Sequence, residues 1–212
     1  MSVECLDIFG DDLTVVNAAR VSFAKESTVL ELRDEKLIAY LANHGHNSPF
    51  FHPQVRFRLK MPIFVAREWF RHTVGFARNE VSRRYVDDEP ECWVPTVLRE
   101  RDTNKKQGSK DEPIPNNDEI QKQIKNHIDG SVAFYNFLLT QNVAPEVARA
   151  VLPQSMYTEF IETGSLAAYA RLCSLRLDPQ AQKEIRDYAQ QVSDIMEKKF
   201  PISWKALQKT WE

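Results

Sequence analysis

The chain of 212 residues is long enough to bury a hydrophobic core and fits a single domain. A formal net charge of -2 excludes a general attraction to nucleic acid, because proteins that bind nucleic acid are usually basic. The sequence has no apolar run long enough to span a membrane and no basic region followed by an apolar signal segment, which predicts a cytoplasmic protein.

The three cysteines, Cys5, Cys92 and Cys173, are far apart and odd in number. This pattern predicts neither a disulfide framework nor a Cys-x-x-Cys metal site. None of the three has a neighbouring histidine or another activating group in the sequence. Each is therefore expected to be a small buried residue and not a nucleophile.

The first predicted helix follows Asp11 and Asp12, either of which can cap its first turn. Its apolar residues repeat with a helical period at Leu13, Val16 and Ala19.

The second predicted helix covers residues 35–43 and stops at Gly45. The loop of residues 44–49 follows it, in a position that often carries functional side chains. Polar and apolar residues then alternate strictly over residues 54–60. This alternation predicts a strand with one buried face.

Residues 63–70 predict a predominantly apolar helix. Pro62, directly before them, is well suited to the first position of that helix. A polar stripe at spacings of three and four residues interrupts the apolar surface near its end. The stripe consists of Arg67, Glu68, Arg71 and His72.

The second half of the chain begins with a hydrophilic segment, 99–117, which is predicted to be a polar surface insertion. The following patterns predict mainly helices, with one strand among them. The helices are expected at 118–142, 145–152, 165–176 and 179–199 and around Trp204 to Trp211, and the strand at 156–163. Few strands among many helices favour the α+β class, as a single domain with a small antiparallel sheet flanked by several helices.

The stretch 71–85 combines four arginines and a histidine with Asn79, Glu80 and Ser82, but has no lysine. Arginine without lysine favours forked recognition of phosphate or carboxylate over a diffuse positive surface. The other polar residues supply hydrogen-bond donors and acceptors together. This mixture is suited to a ligand with both a phosphate group and a polar ring.

The same stretch resembles the signature of the flavin-dependent thymidylate synthases, in which Arg-His-Arg is followed after a spacer by Asn-Glu-x-Ser-x-Arg-Tyr. Seven positions match: Arg71, His72, Asn79, Glu80, Ser82, Arg84 and Tyr85. Thr73 departs from the third signature position, and the spacer is one residue longer than usual. Further blocks in the family's order are 19–23, 44–46 with 49–50 and His52, 62–67, 146–149, 151–153, 157–158, and 175–176 before 181–182.

The resemblance implies a homotetramer with active sites shared between subunits. It implies reductive methylation of dUMP with methylenetetrahydrofolate as carbon donor and FAD, reduced by NADPH, as hydride source, without a protein nucleophile. Arg176 matches the catalytic arginine, which favours the ionised form of the uracil ring.

The resemblance also implies two sets of ligand contacts. The dUMP contacts would be Glu68, Arg71, Glu80, Val81, Ser82, Arg83, Arg84, Arg149 and Arg176. The FAD contacts would be Ser22, His46, Ser48, Arg71, His72, Arg78, Glu80 and Ser165. Glu68 stands where the family often has Gln, and Ser165 and Gln180 stand where many members have Asn and His.

Two other functions remain open at this point. His44, His46, His52 and His72 are compatible with a metal-dependent nucleotide phosphohydrolase. No carboxylate stands at helical spacing beside the first three, however, and no metal site is predicted. A non-catalytic nucleotide- or RNA-binding protein would use the 71–85 stretch as a phosphate clamp. The acidic net charge opposes binding to RNA.

Overall fold

The structure is a computed structural model that describes residues 2–86, 88–103 and 108–211. The strands in these ranges are β1 (Ser2–Phe9), β2 (Gln54–Pro62), β3 (Phe76–Glu80), β4 (Arg99–Arg101), β5 (Ser109–Pro113) and β6 (Tyr157–Ser165). The helices are α1 (Asp12–Arg20), α2 (Leu32–Asn43), α3 (Ile63–Trp69), α4 (Asn117–Thr140), α5 (Pro145–Ala148), α6 (Leu166–Arg176), α7 (Lys183–Lys199) and α8 (Pro201–Gln208). Helices and strands in this mixed order confirm the α+β class.

Four strands form one sheet in the order β1-β2-β6-β3, and β4 and β5 form a separate antiparallel pair. The described residues divide into two compact units. Unit 1 comprises residues 1–59, 70–79 and 161–212, and unit 2 comprises residues 60–69 and 80–160. The single domain predicted from the sequence stays a prediction.

Unit 1 buries a large apolar core beneath its helices. The largest buried side chains of this unit include Ile38, Phe50, Phe57, Leu59, Tyr169, Tyr188, Phe200 and Trp204. Asp11 caps α1, as predicted, because its carboxylate accepts a hydrogen bond from the Thr14 N–H at 2.9 Å. The buried Asp12 acts elsewhere: its two carboxylate oxygens accept from the N–H groups of Ile202 and Ser203, at 3.1 and 2.8 Å, and cap α8.

The start of α2 depends on a buried carboxylate at Asp34. It accepts hydrogen bonds from the Glu31 N–H at 3.0 Å and the Ser27 hydroxyl at 3.3 Å, and it pairs with Arg20. Burial alone would raise the pKa of Asp34. The Glu31 N–H, Arg20 and Ser27 outweigh burial and hold the pKa below its ordinary value of 3.8.

Replacing Asp34 with asparagine is expected to lower the free energy of unfolding at pH 7 by about 1–3 kcal/mol, because asparagine keeps one acceptor but loses the charge. The folded carboxylate binds its proton less tightly than the unfolded one. Its contribution is therefore fully present above the ordinary pKa and is lost as pH falls through the lowered pKa. Urea unfolding at pH 7, 5, 4 and 3 should show the two proteins converging below about pH 4. A difference that stays constant down to pH 3 would contradict this assignment.

Unit 2 is built around α3 and the 24-residue helix α4. Trp69, Met61, Tyr135 and Phe160 are its largest fully buried side chains. The backbone N–H groups of Ile63 and Phe64 donate to the carbonyls of Met156 and Gln154, at 2.9 and 3.1 Å. These bonds fix the first turn of α3 against the chain that leads into β6.

Several predicted boundaries differ from the structure. The strand predicted at 54–60 is confirmed, but it extends to Pro62, which ends β2 and does not open a helix. Asn116, in a left-handed conformation, precedes α4 in place of Asp118. The second helix begins earlier than predicted, at Leu32, and α7 begins later, at Lys183.

The polar segment 99–117 contains the paired strands β4 and β5. The hydrophilic composition of this segment does not predict them. Most of its described side chains are exposed or half-buried, and residues 104–107 lie outside the described residues. Its role as a surface insertion stays a prediction.

Candidate active site

Unit 2 contains an open cavity of about 570 Å³ beside the end of β3. It is lined by Ile63, Glu80, Val81, Ser82, Arg83, Arg84, Glu146, Arg149, Ala150, Leu152, Met156 and Thr158. Six of these residues were predicted dUMP contacts, and they come from two segments more than sixty residues apart. The local geometry supports their grouping, because the Val81 N–H donates to the Glu159 carbonyl at 2.9 Å and joins the end of β3 to β6.

The lining of the cavity is chemically mixed. Apolar residues line it together with three arginines and two glutamates. The Nε of Arg84 donates to the Ser82 hydroxyl at 3.2 Å, and the Arg84 guanidinium lies over the Tyr85 ring at 5.0 Å. Arg149 donates from Nε to the Glu146 carbonyl at 3.3 Å. Forked cations and apolar side chains in one cavity are suited to a phosphate and a planar ring.

Glu80 is held in this cavity by Thr158, which belongs to a block shared with the family but not to the predicted ligand contacts. The Thr158 hydroxyl donates to Oε1 of Glu80 at 2.5 Å. Thr158 lies on the buried face of β6, which alternates with period two through Phe160 and Glu162. Polar residues at buried positions of a strand need hydrogen-bond partners. The alternation along β6 is therefore the sequence pattern that indicates a bonded role for Thr158.

The other predicted dUMP contacts lie elsewhere in the described residues. Glu68 is half-buried on α3 of unit 2, outside the lining of the cavity. Arg71 and Arg176 belong to unit 1. Their contact with the nucleotide stays a prediction.

In unit 1, Arg176 at the end of α6 is held by a histidine. Its Nε donates to Nε2 of His72 at 2.9 Å, so the neutral imidazole carries its proton on Nδ1. Burial, followed by the positive charges of Arg176, Arg78, Arg71 and Arg171, lowers the pKa of His72 to about 4. His72 is therefore a neutral hydrogen-bond acceptor within a positively charged cluster.

This assignment predicts that the His72 ring resonances titrate near pH 4 in the folded protein. The unfolded imidazole binds a proton near pH 6.5, so the unfolded state takes it up first and the fold loses stability as pH falls from 6.5 to 4. NMR of the ring protons would measure this pKa, with a His72→Gln variant to assign the signal. An inflection near pH 6.5 would contradict a neutral acceptor.

A tight turn at residues 73–76 accommodates the longer spacer of the signature. The Phe76 N–H donates to the carbonyl of residue 73 at 3.2 Å, and Gly75 has a left-handed φ of 82°. A Cβ at Gly75 would lie 3.0 Å from that of Ala168, so the turn lies tightly against α6. Nη2 of Arg171 donates to the Val74 carbonyl at 2.6 Å and anchors the turn.

Arg78, a predicted flavin contact, makes a buried ion pair with Glu162. The Glu162 side chain has no exposed surface, and the Arg78 guanidinium lies 4.8 Å from the ring centre of Phe76 and 5.3 Å from that of Phe70. These contacts give Arg78 a structural role in unit 1. Its contact with flavin stays a prediction.

The other predicted flavin contacts vary in exposure. Ser22 and Ser48 are exposed in short 3-10 helices, and the exposed His46 ring lies stacked 6.0 Å from the Tyr40 ring. Ser165 is buried and caps α6 by accepting the Ala168 N–H at 3.1 Å. Glu80 belongs to unit 2.

None of the cysteines has the environment of an activated thiol. Cys173 is fully buried, and burial raises the pKa of its thiol well above the ordinary value. Burial also raises the pKa values of the half-buried Cys5 and Cys92. Chemistry that requires a cysteine thiolate nucleophile therefore has no support here.

In residues 2–86, 88–103 and 108–211, no group of three or more His, Cys, Asp or Glu side chains is placed to hold a metal ion. The same part of the chain contains no helix with the length and apolarity needed to cross a membrane.

Comparison with known proteins identifies the class. The family model described as thymidylate synthase complementing protein matches residues 5–202. The chain belongs to this family, and the resemblance to flavin-dependent thymidylate synthases is confirmed.

Individual relatives match over nearly the whole chain. The flavin-dependent thymidylate synthase of Thermosipho africanus is 40% identical over 209 residues, which cover 96% of this chain and 89% of the relative. The enzyme of the same description from Thermus thermophilus is 38% identical over 206 residues, with coverages of 97% and 75%.

Solved structures show the same fold. The crystal structure of the UMP/dUMP methylase PolB from Streptomyces cacaoi bound with 5-Br dUMP matches with a TM-score of 0.86 and 30% identity, covering 98% of this chain and 94% of that chain. The structure of PolB bound with 5-Br UMP matches with a TM-score of 0.87 and 29% identity, covering 98% and 93%.

Proposed function

We propose that this chain is an FAD-dependent thymidylate synthase that converts dUMP to dTMP. Methylenetetrahydrofolate is the carbon donor, and NADPH reduces the flavin. This function is consistent with the family and with cysteine thiols whose pKa values are raised. No side chain of the protein serves as nucleophile, so the protein's tasks are to bind, orient and polarise the substrates.

The cavity of unit 2 is the observation that carries the proposal. Its three arginines and the backbone N–H groups of residues 82–84 bind the phosphate of dUMP. The apolar lining residues Ile63, Leu152 and Met156 take the flat face of the pyrimidine. Glu80 accepts hydrogen bonds from the nucleoside.

Arg176 is the catalytic residue of the proposal. Its guanidinium stabilises the negative charge that develops on the N3–O4 side of the uracil ring when C5 reacts with the carbon donor. Neutral His72 accepts the Nε–H and thereby limits the orientations of the guanidinium. Glu68 and Arg71 complete the nucleotide contacts.

The groups around His72 in unit 1 fit a flavin nucleotide. Guanidinium groups at Arg71 and Arg171 are suited to its phosphates, and the neutral imidazole is suited to its polar ring edges. Arg171 also lines a cavity of about 490 Å³ that has both apolar and polar walls. When bound, FAD supplies the hydride that completes the methyl group.

The assembly and location follow the same proposal. The protein is a cytoplasmic homotetramer in which neighbouring subunits share active sites. Light scattering of the purified protein tests the tetramer.

The visible spectrum of the purified protein, recorded anaerobically before and after NADPH and with and without dUMP, tests the function. The expected result is a flavin band that NADPH bleaches at a rate that dUMP changes, with dTMP formed once methylenetetrahydrofolate is added. A colourless protein that takes up no added FAD would overturn the proposal. Metal analysis would then test the phosphohydrolase, and equilibrium binding of dUMP without turnover would indicate a non-catalytic nucleotide-binding protein.

A further inference from the structure

Thr158 is a buried polar side chain that lines the nucleotide cavity, with 7% of its surface exposed. Its hydroxyl hydrogen is committed to Oε1 of Glu80. A hydroxyl bonded to a carboxylate acts as the donor, because the ionised carboxylate can only accept. The direction of this bond is therefore fixed.

Both partners are held by the same pair of strands. The Val81 N–H donates to the carbonyl of Glu159 at 2.9 Å, so the residues that follow Glu80 and Thr158 are bonded through the backbone. Threonine is branched at Cβ and has few side-chain rotamers within a strand. Glutamate has three side-chain torsions, and Glu80 is exposed. The threonine therefore limits the freedom of the carboxylate.

The position of the carboxylate determines what it can recognise. One oxygen accepts from Thr158, and the carboxylate keeps lone pairs for a ligand donor. A carboxylate repels phosphate but accepts from a hydroxyl or N–H, while Arg83, Arg84 and Arg149 in the same cavity attract phosphate. The cavity thus contains groups for both the phosphate and the nucleoside donors of a nucleotide.

We propose that Thr158 is a positioning residue of the nucleotide site, and that its hydroxyl orients the Glu80 carboxylate to accept a hydrogen bond from a hydroxyl or N–H group of the bound nucleotide. This proposal rests on the proposed function, because the nucleotide is dUMP. Thr158 does not need to contact dUMP itself.

The test compares Thr158→Val with Thr158→Ser in the flavin-loaded protein. Valine keeps the volume and the branched Cβ but removes the donor, whereas serine keeps the donor. Isothermal titration of dUMP and steady-state kinetics should show that Thr158→Val weakens dUMP binding and raises its KM about tenfold, with little change in kcat. Thr158→Ser should bind dUMP within about twofold of the wild type, and flavin content should be unchanged in both.

A Glu80→Ala background separates positioning from packing. In that background, Thr158→Val should cause no further loss of dUMP affinity, because the carboxylate that it orients is absent. Additive losses would overturn the proposal, as would equal losses in the valine and serine variants or wild-type affinity in Thr158→Val. A wild-type protein that binds no dUMP would overturn the proposed function, whereas an active wild type with an unaffected Thr158→Val overturns the positioning role alone.

Discussion

Arg176→Ala is expected to lower the turnover number for dTMP formation by about 10²- to 10³-fold, the usual cost of removing a group that stabilises charge in the transition state. The guanidinium is always charged and is already oriented by His72 before substrate binds. Arg176→Lys keeps the charge but loses the planar fork, and we expect it to recover only part of the rate. Chromatographic assay of dTMP at saturating dUMP measures the effect.

The matched control for Arg176 is Arg33→Ala, which removes an exposed arginine of the same unit whose ion pair within the described residues is with exposed Glu31. It should leave turnover unchanged. The visible flavin spectrum and thermal unfolding of Arg176→Ala should resemble those of the wild type. Full turnover in Arg176→Ala would show that the polarising role belongs to another group.

Removing the carboxylate of Glu162 is expected to lower the free energy of unfolding by about 3–5 kcal/mol, because it leaves the Arg78 guanidinium largely buried without its charge partner. Glu162→Ala has this effect, whereas Glu197→Ala, which truncates an exposed glutamate, should change stability by less than about 0.5 kcal/mol. Urea unfolding monitored by tryptophan fluorescence measures both.

A double replacement distinguishes the ion pair from packing at the same position. Arg78→Met combined with Glu162→Leu removes both charges and keeps apolar volume, so it should be more stable than Glu162→Ala alone. A loss below about 1 kcal/mol in Glu162→Ala would show that water already solvates the guanidinium.

Local patterns in the sequence predict most of the helices, because apolar spacing and capping residues act within a few residues of one another. Asp11 caps α1, Gly45 adopts a left-handed φ of 68° beyond α2, and Ser165 caps α6. The predicted helix boundaries and caps are wrong where a contact with a residue distant in the sequence determines them. Asp12 looks like a second cap for α1, but it binds N–H groups of α8, about 190 residues away.

The strands β1 and β3 are less visible in the sequence. β3 consists of Phe-Ala-Arg-Asn-Glu, whose polar residues indicate a loop, and it exists because it pairs with a neighbouring strand. In β1 the charged residues Glu4 and Asp7 pair with Arg58 and Arg56 of β2. A local sequence pattern cannot predict these ion pairs, because the fold determines which residues become partners.

In the candidate site, too, the sequence identifies residues and the fold determines their partners. The signature stretch and Arg149 could be selected by resemblance, and their grouping around one cavity comes from the structure. The partner of Arg78 is 84 residues away, so the sequence offers no reason to prefer an ion pair with Glu162 over a ligand contact. Thr158 stands in a block shared with the family, but its bond to Glu80 is not predicted, because a threonine in a strand usually needs no functional explanation.

The cap that Asp12 provides for α8 has a consequence for synthesis on the ribosome. Helices α1 and α2 lie against α8, and α8 is made last among the described helices. Until residues 201–208 leave the ribosome, the first two helices lack the surface that covers them, and the Asp12 carboxylate lacks its N–H donors. We therefore expect unit 1 to complete its folding only after α8 has been translated, and shorter nascent chains to expose apolar surface that favours aggregation.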